Sequence, residues 1–222
     1  MEWWTYSAED FLLFSPRSYW RMFELQNEEF WPLPVVTLAL GGIVTFLATR
    51  GAANAIRGAA VILALVWAFV ATAFLWHRYA EIHWAIAYVV PVFVLEALLL
   101  LMILFRSEVT RRPGGIAAWI GALLLAFATV GVPLLHGRER ASSEIFGIAP
   151  DPTVIATLGF LLVLRGRWLW LLYPIPVLWC LQSAITLHAM GEAQAWLPFA
   201  AVAAAAAAGI AAAIRRPAPP PA

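Results

Sequence analysis

Two carboxylates stand out because of where they occur in an otherwise apolar chain. Glu96 lies near the centre of a long apolar stretch, and Asp151 lies between Pro150 and Pro152 just before another. A carboxylate at the centre of a bilayer is costly, so it normally faces the interior of a helix bundle or a hydrated cavity. No basic residue within an apolar stretch is available to pair with Glu96. We therefore expect Glu96 to be a neutral acid that donates a hydrogen bond or exchanges a proton.

Uncharged polar side chains complete this candidate site. Thr157 and Gln182 lie in apolar stretches, in the halves expected to share one membrane face with Asp151. The binding or proton-linked candidates are therefore Glu96, Asp151, Thr157 and Gln182, placed around an outward-opening polar vestibule. The alternative is packing, in which Ser and Thr side chains join neighbouring helices through hydrogen bonds worth about 0.6 kcal/mol each. In that alternative Glu96 bonds a helix carbonyl.

The histidines suggest a second kind of site, for a metal ion. His77, His83, His136 and His188 all fall at the ends of apolar stretches that are expected on the same face as Asp151. Imidazole and carboxylate groups suit Zn²⁺ or Cu²⁺. No tight ligand spacing such as His-x-x-x-His on one helix is present, however. No cofactor is predicted on this pattern, and two alternatives stay open: zinc or copper at these histidines, or histidines that are simply solvated.

Composition indicates that these residues belong to a membrane protein. The 222-residue chain is 63% hydrophobic and 12% charged, against about 25% charged in soluble domains. Its apolar runs approach the roughly 20 residues that cross a bilayer as a helix, and they do not alternate as barrel strands do. The predicted fold class is all-α: an integral membrane bundle of about seven transmembrane helices with an N-terminal amphipathic interfacial helix.

The chain divides into a short N-terminal region, one transmembrane bundle and a tail. Residues 1–30 are predicted to form amphipathic interfacial helices, because apolar and charged side chains take opposite faces. Residues 215–222 are a Pro/Ala tail that we expect to be disordered. The bundle covers 31–214, with spans at about 31–48, 58–76, 84–105, 116–135, 145–164, 168–187 and 195–214.

Proline and small residues give expectations about three of the spans. The fifth is short and broken at its start, where we expect Asp151 to cap a helix that opens at Pro152. Pro174 and Pro176 are predicted to kink the sixth span. The seventh is rich in alanine, and four-residue spacing of small residues there predicts close approach of a neighbouring helix at Ala205, Gly209 and Ala213.

The arginines predict the orientation of the bundle. Nine of the 14 arginines fall in the loops after the first, third and fifth spans and in the tail. Because positive residues are enriched on the cytoplasmic side, the N-terminus is expected outside and the C-terminus in the cytoplasm. The net charge is +1 and no basic stripe is present, so nucleic acid is not an expected partner. The expected partners are the lipid bilayer and other membrane subunits.

Three segments resemble a known family. They are Asn27-Glu-Glu-Phe-Trp31-Pro32; Trp76-His77 followed by Phe93-Val-Leu-Glu96; and Phe146-Gly-Ile-Ala-Pro-Asp-Pro-Thr153 with Thr157-Leu-Gly159 and Pro176-Val-Leu-Trp179. Together they resemble the bacterial multi-span membrane proteins grouped as domain of unknown function 6064. The resemblance implies a multi-pass protein of the inner (cytoplasmic) membrane and supplies no activity. Asp151 stands where a cysteine is common in that family, which removes a thiolate role at this position.

Three functions remain as hypotheses. The first is a small-molecule or ion transporter or binder, favoured by the broken fifth span and Glu96. The second is a non-catalytic subunit or assembly factor of a membrane complex, favoured by the amphipathic N-terminal helix and the alanine-rich last span. The third is a lipid-modifying enzyme that uses the outer His and Glu residues. Catalytic residues are not predicted, because the sequence carries neither a phosphate-binding glycine loop nor a Ser-His-Asp arrangement.

Overall fold

The described part of the chain, residues 13–112, 114–135 and 140–214 of a computed structural model, is almost entirely helical. Its eight helices are α1 Pro16–Glu29, α2 Leu33–Arg50, α3 Ala53–Ile82, α4 Trp84–Phe105, α5 Ile116–Leu135, α6 Pro150–Val163, α7 Arg167–Ala189 and α8 Trp196–Ile214. Two-residue strands β1 (Thr110–Arg111) and β2 (Leu164–Arg165) pair antiparallel. The predicted tail, His136 and residues 1–12 of the predicted N-terminal helices lie outside the described residues.

Five of these helices, α2, α3, α4, α5 and α7, are long and apolar enough to cross a membrane. The bounds of α4 and α5 coincide with the third and fourth predicted spans. Helix α3 extends beyond the predicted 58–76 at both ends, because the more polar turns that flank the apolar run are also helical. Two shorter apolar segments are α6 itself, Pro150–Val163, and Trp196–Ala211 within α8.

The apolar helices are not uniform α-helices. Helix α3 is α-helical to Phe69 and π-helical over Val70–Tyr79, and α5 is π-helical over Phe127–Gly131. Such wider turns are rare and occur mostly as single-turn insertions. Helix α7 begins as a 3₁₀-helix, Arg167–Leu172, and restarts as an α-helix at Pro174. The chain bends at Tyr173, just before Pro174. There the proline starts the α-helical part, where its missing N–H has no partner to lose.

Helix α6 lies at the centre of the bundle. All 14 of its residues are buried, and α2, α3, α5, α7 and α8 pack around it. At 1.5 Å per residue it is about 21 Å long, shorter than the roughly 30 Å hydrocarbon core of a bilayer. The fifth predicted span is therefore an enclosed helix rather than one that faces lipid, and it begins at Pro150 rather than Pro152.

Two glycines let α5 approach α6 very closely. A Cβ on Gly121 would lie 2.6 Å from the Gly159 carbonyl oxygen. Likewise, a Cβ on Gly159 would lie 2.6 Å from the Gly121 carbonyl oxygen. The predicted close approach at Gly209 of α8 is wrong, because no heavy atom lies within 4 Å of a Cβ built there. Ala205, another of the predicted positions, is buried, as are Ala201 and Ala208.

Helix α1 packs its apolar face on the bundle. Tyr19 and Phe23 are buried, and the Phe23 ring lies 4.8 Å from the Phe74 ring of α3, centroid to centroid. An ion pair between Glu29 and Arg78 also joins the two helices. The predicted interfacial helix thus covers its apolar face with protein, which differs from the expected burial of that face in lipid.

Candidate functional site

Asp151 lies in the first turn of α6 and binds α7. Its Oδ1 accepts a hydrogen bond from Trp179 Nε1 at 2.7 Å, and its Oδ2 accepts one from Ser183 Oγ at 2.5 Å. The N-cap residue is Ala149, with no side-chain cap. The predicted capping role of Asp151 is therefore wrong, because a helix that starts at Pro150 places this carboxylate inside the first turn. There it lies near the positive end of the helix dipole.

The turn before α6 is held by Thr153 instead. Thr153 Oγ1 accepts a hydrogen bond from the Gly147 amide at 2.9 Å and donates one to the Ala149 carbonyl at 2.7 Å. Gly147 has a φ of 76°, and a Cβ there would lie 3.1 Å from the Thr37 side chain. Only glycine fits this conformation and spacing without strain.

Thr157 is bound from the opposite side by α3. Trp67 Nε1 donates to Thr157 Oγ1 at 2.8 Å, and Thr157 donates to the Thr153 carbonyl at 2.9 Å. The Phe93 ring of α4 lies between two tryptophans, 4.5 Å from Trp67 and 4.9 Å from Trp179, centroid to centroid. Both indole donors of this aromatic row therefore hold α6 in place.

Glu96 lies one helical turn from Phe93 on the same face of α4. Its side chain is 0% exposed, and within the described residues neither carboxylate oxygen has a hydrogen-bond partner. A hydrogen bond to Gln182 is absent there, since Gln182 Nε2 donates to Thr186 Oγ1 at 2.9 Å. Gln182 thus does not join the Asp151 network. Asp151 and Thr157 both lie in α6 and bind the two tryptophans that flank Phe93.

A second buried acid, Glu144, shares a small cavity with Asp151. Glu144 is 2% exposed and Asp151 3%, and both line a space of about 10 Å³ beside Gln194. Such a space is close to the minimum that holds one water molecule. Burial raises the pKa of the Glu144 carboxyl, and the nearby charges of Asp151 and Glu192 raise it further. Glu192 in turn accepts a hydrogen bond from Trp20 Nε1 at 2.7 Å.

The described histidines lie in three different places. His77 lines an open groove of about 520 Å³, His83 packs beside Tyr79, and His188 is exposed near the end of α7. Among the residues with described positions, no three His, Cys, Asp or Glu side chains form a group that could hold a metal ion. Zinc or copper binding stays a prediction that also involves His136.

A family model described as "Family of unknown function (DUF6064)" matches residues 17–215. The chain belongs to this family. The match begins in α1 and ends just after α8, so it includes Glu96, Glu144 and Asp151. The resemblance seen in the three sequence segments is thereby confirmed. No curated protein and no solved structure matches the chain.

Sequence reasoning missed the hydrogen-bond donors of this site. Trp179 belongs to a family segment and lies four residues before Ser183, a spacing that places both on one helical face. A tryptophan within an apolar span also needs a partner for its indole N–H when it is buried. These two signals point to a buried acceptor, but the sequence does not show that the acceptor is Asp151.

Proposed function

We propose that this protein is a multi-span protein of the bacterial cytoplasmic membrane that binds protons at buried carboxylates, as the binding unit of a small transporter or channel. The observation that carries the proposal is the pair Glu144 and Asp151, both almost fully buried beside one small cavity at the start of an enclosed helix. Glu96, also fully buried, is the second acidic position of the proposal.

The outer surface of the bundle supports a membrane location. The outward faces of the long helices expose large apolar side chains, such as Leu65 (65% exposed), Trp119 (76%) and Leu178 (65%). Water disfavours a surface of this kind, whereas a lipid bilayer accommodates it.

Contacts between loops support the proposed orientation. A Cβ on Gly51, after α2, would lie 2.4 Å from the Arg111 side chain, and β1 pairs with β2. The loops after α2, α4 and α6 therefore meet at one end of the bundle, where arginines are concentrated. The positive-inside bias assigns that end to the cytoplasm, which places Glu144 and Asp151 toward the outside.

The two acids differ in a way that suits proton binding. Asp151 receives two hydrogen bonds from Trp179 and Ser183, which hold it as an acceptor. For Glu144, burial and neighbouring negative charge favour the neutral form and raise the pKa. In this proposal Glu144 takes up a proton from the outer side, and Asp151 sets the negative field that retains it.

Proton flux and proton uptake test this proposal. The purified full-length protein is placed in liposomes that contain a pH-sensitive dye, and flux is driven by a potassium diffusion potential. We expect flux above protein-free liposomes for the wild type, and at least a tenfold loss in Glu144→Gln and Glu96→Gln, because an amide keeps the shape but binds no proton. The matched control is Glu108→Gln, which changes an exposed acid and should retain full flux.

A second measurement separates binding from transport. In detergent, lowering the pH should give a larger proton uptake by the wild type than by Glu144→Gln. The proposal fails if the wild type conducts no better than empty liposomes and also takes up no more protons than the variant. Flux without extra uptake would also overturn the role of Glu144.

An exposed groove favours the subunit alternative as a second candidate function. It has a volume of about 490 Å³ and is lined mainly by apolar atoms of Trp31, Pro34, Ala141 and Ile145 at the outer end of the bundle. Purification in mild detergent should then recover a stoichiometric partner, and Trp31→Ala should release it. Recovery of the chain alone with Trp31 intact would exclude this role.

A further inference from the structure

The cytoplasmic end of the bundle, as assigned above, contains an open cavity of about 520 Å³ that the carboxylate site does not use. It lies beside the last turn of α6, between the 3₁₀ start of α7 and the second half of α8. Its principal lining residues are Arg112, Arg165, Arg167, Trp170, Tyr173 and Gly209. Three arginines thus line one cavity.

Two of these arginines are held by hydrogen bonds to the rest of the chain. Arg112 donates from Nε to the Leu162 carbonyl at 3.3 Å and from Nη2 to the Leu164 carbonyl at 3.2 Å. Arg165 Nε donates to Thr110 Oγ1 at 2.9 Å. A guanidinium carries five N–H donors, so these contacts hold the groups in place and leave donors for a ligand.

The positive charge of the cavity is not neutralised within the described chain. The ion pairs of the described residues join Arg21 to Glu24 and Arg78 to Glu29. None of the described carboxylates forms an ion pair with an arginine of the cavity. Like charges that line one cavity repel, and guanidinium groups bind phosphate oxygens in a bidentate geometry. The chemistry that complements this cavity is therefore a phosphate group.

The remaining walls indicate which molecule carries that phosphate. The Tyr173 ring lines the cavity beside the arginines, and Trp170, 66% exposed, lies at the edge, as tryptophan does at membrane interfaces. No heavy atom lies within 4 Å of a Cβ on Gly209, so the α8 side is open. A free phosphate ion needs no apolar wall, whereas a phospholipid has a charged head next to acyl chains.

We propose that this cavity binds the phosphate headgroup of an anionic phospholipid from the leaflet on the arginine-rich side. Arg165 and Arg167 contact the phosphate, and Arg112 adds a fixed positive charge beneath it. Trp170 and Tyr173 pack along the glycerol and acyl region. Basic pockets between membrane helices bind anionic headgroups in this manner. The site is separate from the carboxylates at the other end of α6, so either proposal can fail without the other.

Native mass spectrometry and thermal shifts of the full-length protein test the site. The probes are phosphatidylglycerol, phosphatidylcholine and inorganic phosphate, each added to delipidated protein. We expect one tightly retained phosphatidylglycerol and a melting temperature that rises with this lipid and not with phosphatidylcholine. The double variant Arg165→Gln/Arg167→Gln should bind it about 30-fold more weakly, since each cation near an anionic surface contributes about 1 kcal/mol.

A charge-matched control separates the cavity from general surface attraction. Arg50→Gln/Arg57→Gln removes two arginines from the same end of the bundle, outside the cavity, and should bind phosphatidylglycerol within about twofold of wild type. Equal weakening by both double variants would overturn the proposal. A thermal shift with inorganic phosphate alone that depends on Arg165 and Arg167 would also overturn it, in favour of a free-phosphate site.

A steric variant keeps the test independent of charge and of folding. Gly209→Leu leaves every arginine in place and extends a side chain from the open α8 wall into the cavity. Its melting temperature in phosphatidylcholine should match wild type, while phosphatidylglycerol binding falls at least tenfold. Unchanged lipid binding in this variant would place the lipid elsewhere and would overturn the assignment.

Discussion

The polar groups at the two ends of helix α6 have different surroundings. At its N-terminal end Asp151 is buried and receives donors from Trp179 and Ser183 of α7. At its C-terminal end the Val163 carbonyl accepts a hydrogen bond from the Arg112 amide at 2.8 Å, and the Arg112 side chain binds two further carbonyls. One end is a buried hydrogen-bond network inside the bundle, and the other borders an open cationic cavity.

This difference follows from the length of α6. The first N–H groups and last C=O groups of any helix lack partners within the helix, and α6 is too short to carry both ends into water. An acid in the first turn and an arginine at the last both complement the helix dipole. A substitution at the buried end should therefore destabilise the protein more than one at the open end, where water or lipid can replace a lost hydrogen-bonding group.

Asp151→Ala should have the largest effect on stability. It leaves the Trp179 indole N–H and the Ser183 hydroxyl without their acceptor in a buried site, and each unpaired group costs about 1–3 kcal/mol. We expect the free energy of unfolding in mild detergent to fall by about 2–5 kcal/mol. Titration with a denaturing detergent, followed by tryptophan fluorescence, measures it. Glu108→Ala, at an exposed acid, is the control, and equal losses in both variants would contradict the role of Asp151.

Gly159→Ala tests the crossing of α5 and α6 midway between the two ends. The added methyl group would lie 2.6 Å from the Gly121 carbonyl oxygen, so the helices must move apart. Overpacking of this kind costs about 1–3 kcal/mol. Gly42→Ala is the matched control in α2, because nothing lies within 4 Å of its Cβ. The close crossing is refuted if both variants unfold at the same denaturant concentration.

Arg112→Leu tests the open end of α6. Loss of the guanidinium exposes the carbonyls of Leu162 and Leu164 to a cavity where other donors can reach them, so we expect about 1–2 kcal/mol of destabilisation. Arg57→Leu, a partly exposed arginine at the same end of the bundle, should change the unfolding free energy by less than about 0.5 kcal/mol. If Arg112→Leu lowers the free energy of unfolding as much as Asp151→Ala does, the two ends of α6 do not differ in their contribution to stability.

The pH dependence of stability tests Glu144, and this is the smallest expected change. Because the pKa of Glu144 is raised in the folded protein, the folded state holds a proton that the unfolded state has released above the ordinary carboxyl pKa. Stability should therefore fall as the pH rises above that ordinary value. Melting temperatures measured from pH 5 to pH 8 should show a smaller slope in Glu144→Gln. An unchanged slope would assign the titration to another group.

Apolar run length predicted the long helices well. The ends of α4 and α5 were predictable because proline, glycine and charged residues flank runs that are long enough to cross a bilayer. The π-helical turns of α3 and α5 were not, because the sequence does not fix which wider turn satisfies the backbone. The Gly121 and Gly159 crossing was missed for a related reason: each glycine looks ordinary until the two helices are placed together.

The candidate site was predictable in part. That Glu96 is buried followed from a carboxylate within an apolar run, and the importance of Asp151 followed from the prolines beside it. The hydrogen-bond partners of Asp151 were not predictable, because the sequence does not show that Trp179 and Ser183 of α7 face α6. Gln182 lies one residue from Ser183, and that rotation of about 100° separates it from the network.

The amino-acid sequence alone determined that this chain is helical, with long apolar helices and charged residues mainly between them, because these properties depend only on the local order of residue types. It also determined the family. Only the tertiary structure decided that α6 is enclosed by five other helices, that Asp151 accepts hydrogen bonds rather than capping its helix, and that Arg112, Arg165 and Arg167 share one cavity. Those features depend on which helix faces meet, and residues far apart in the chain settle that through packing.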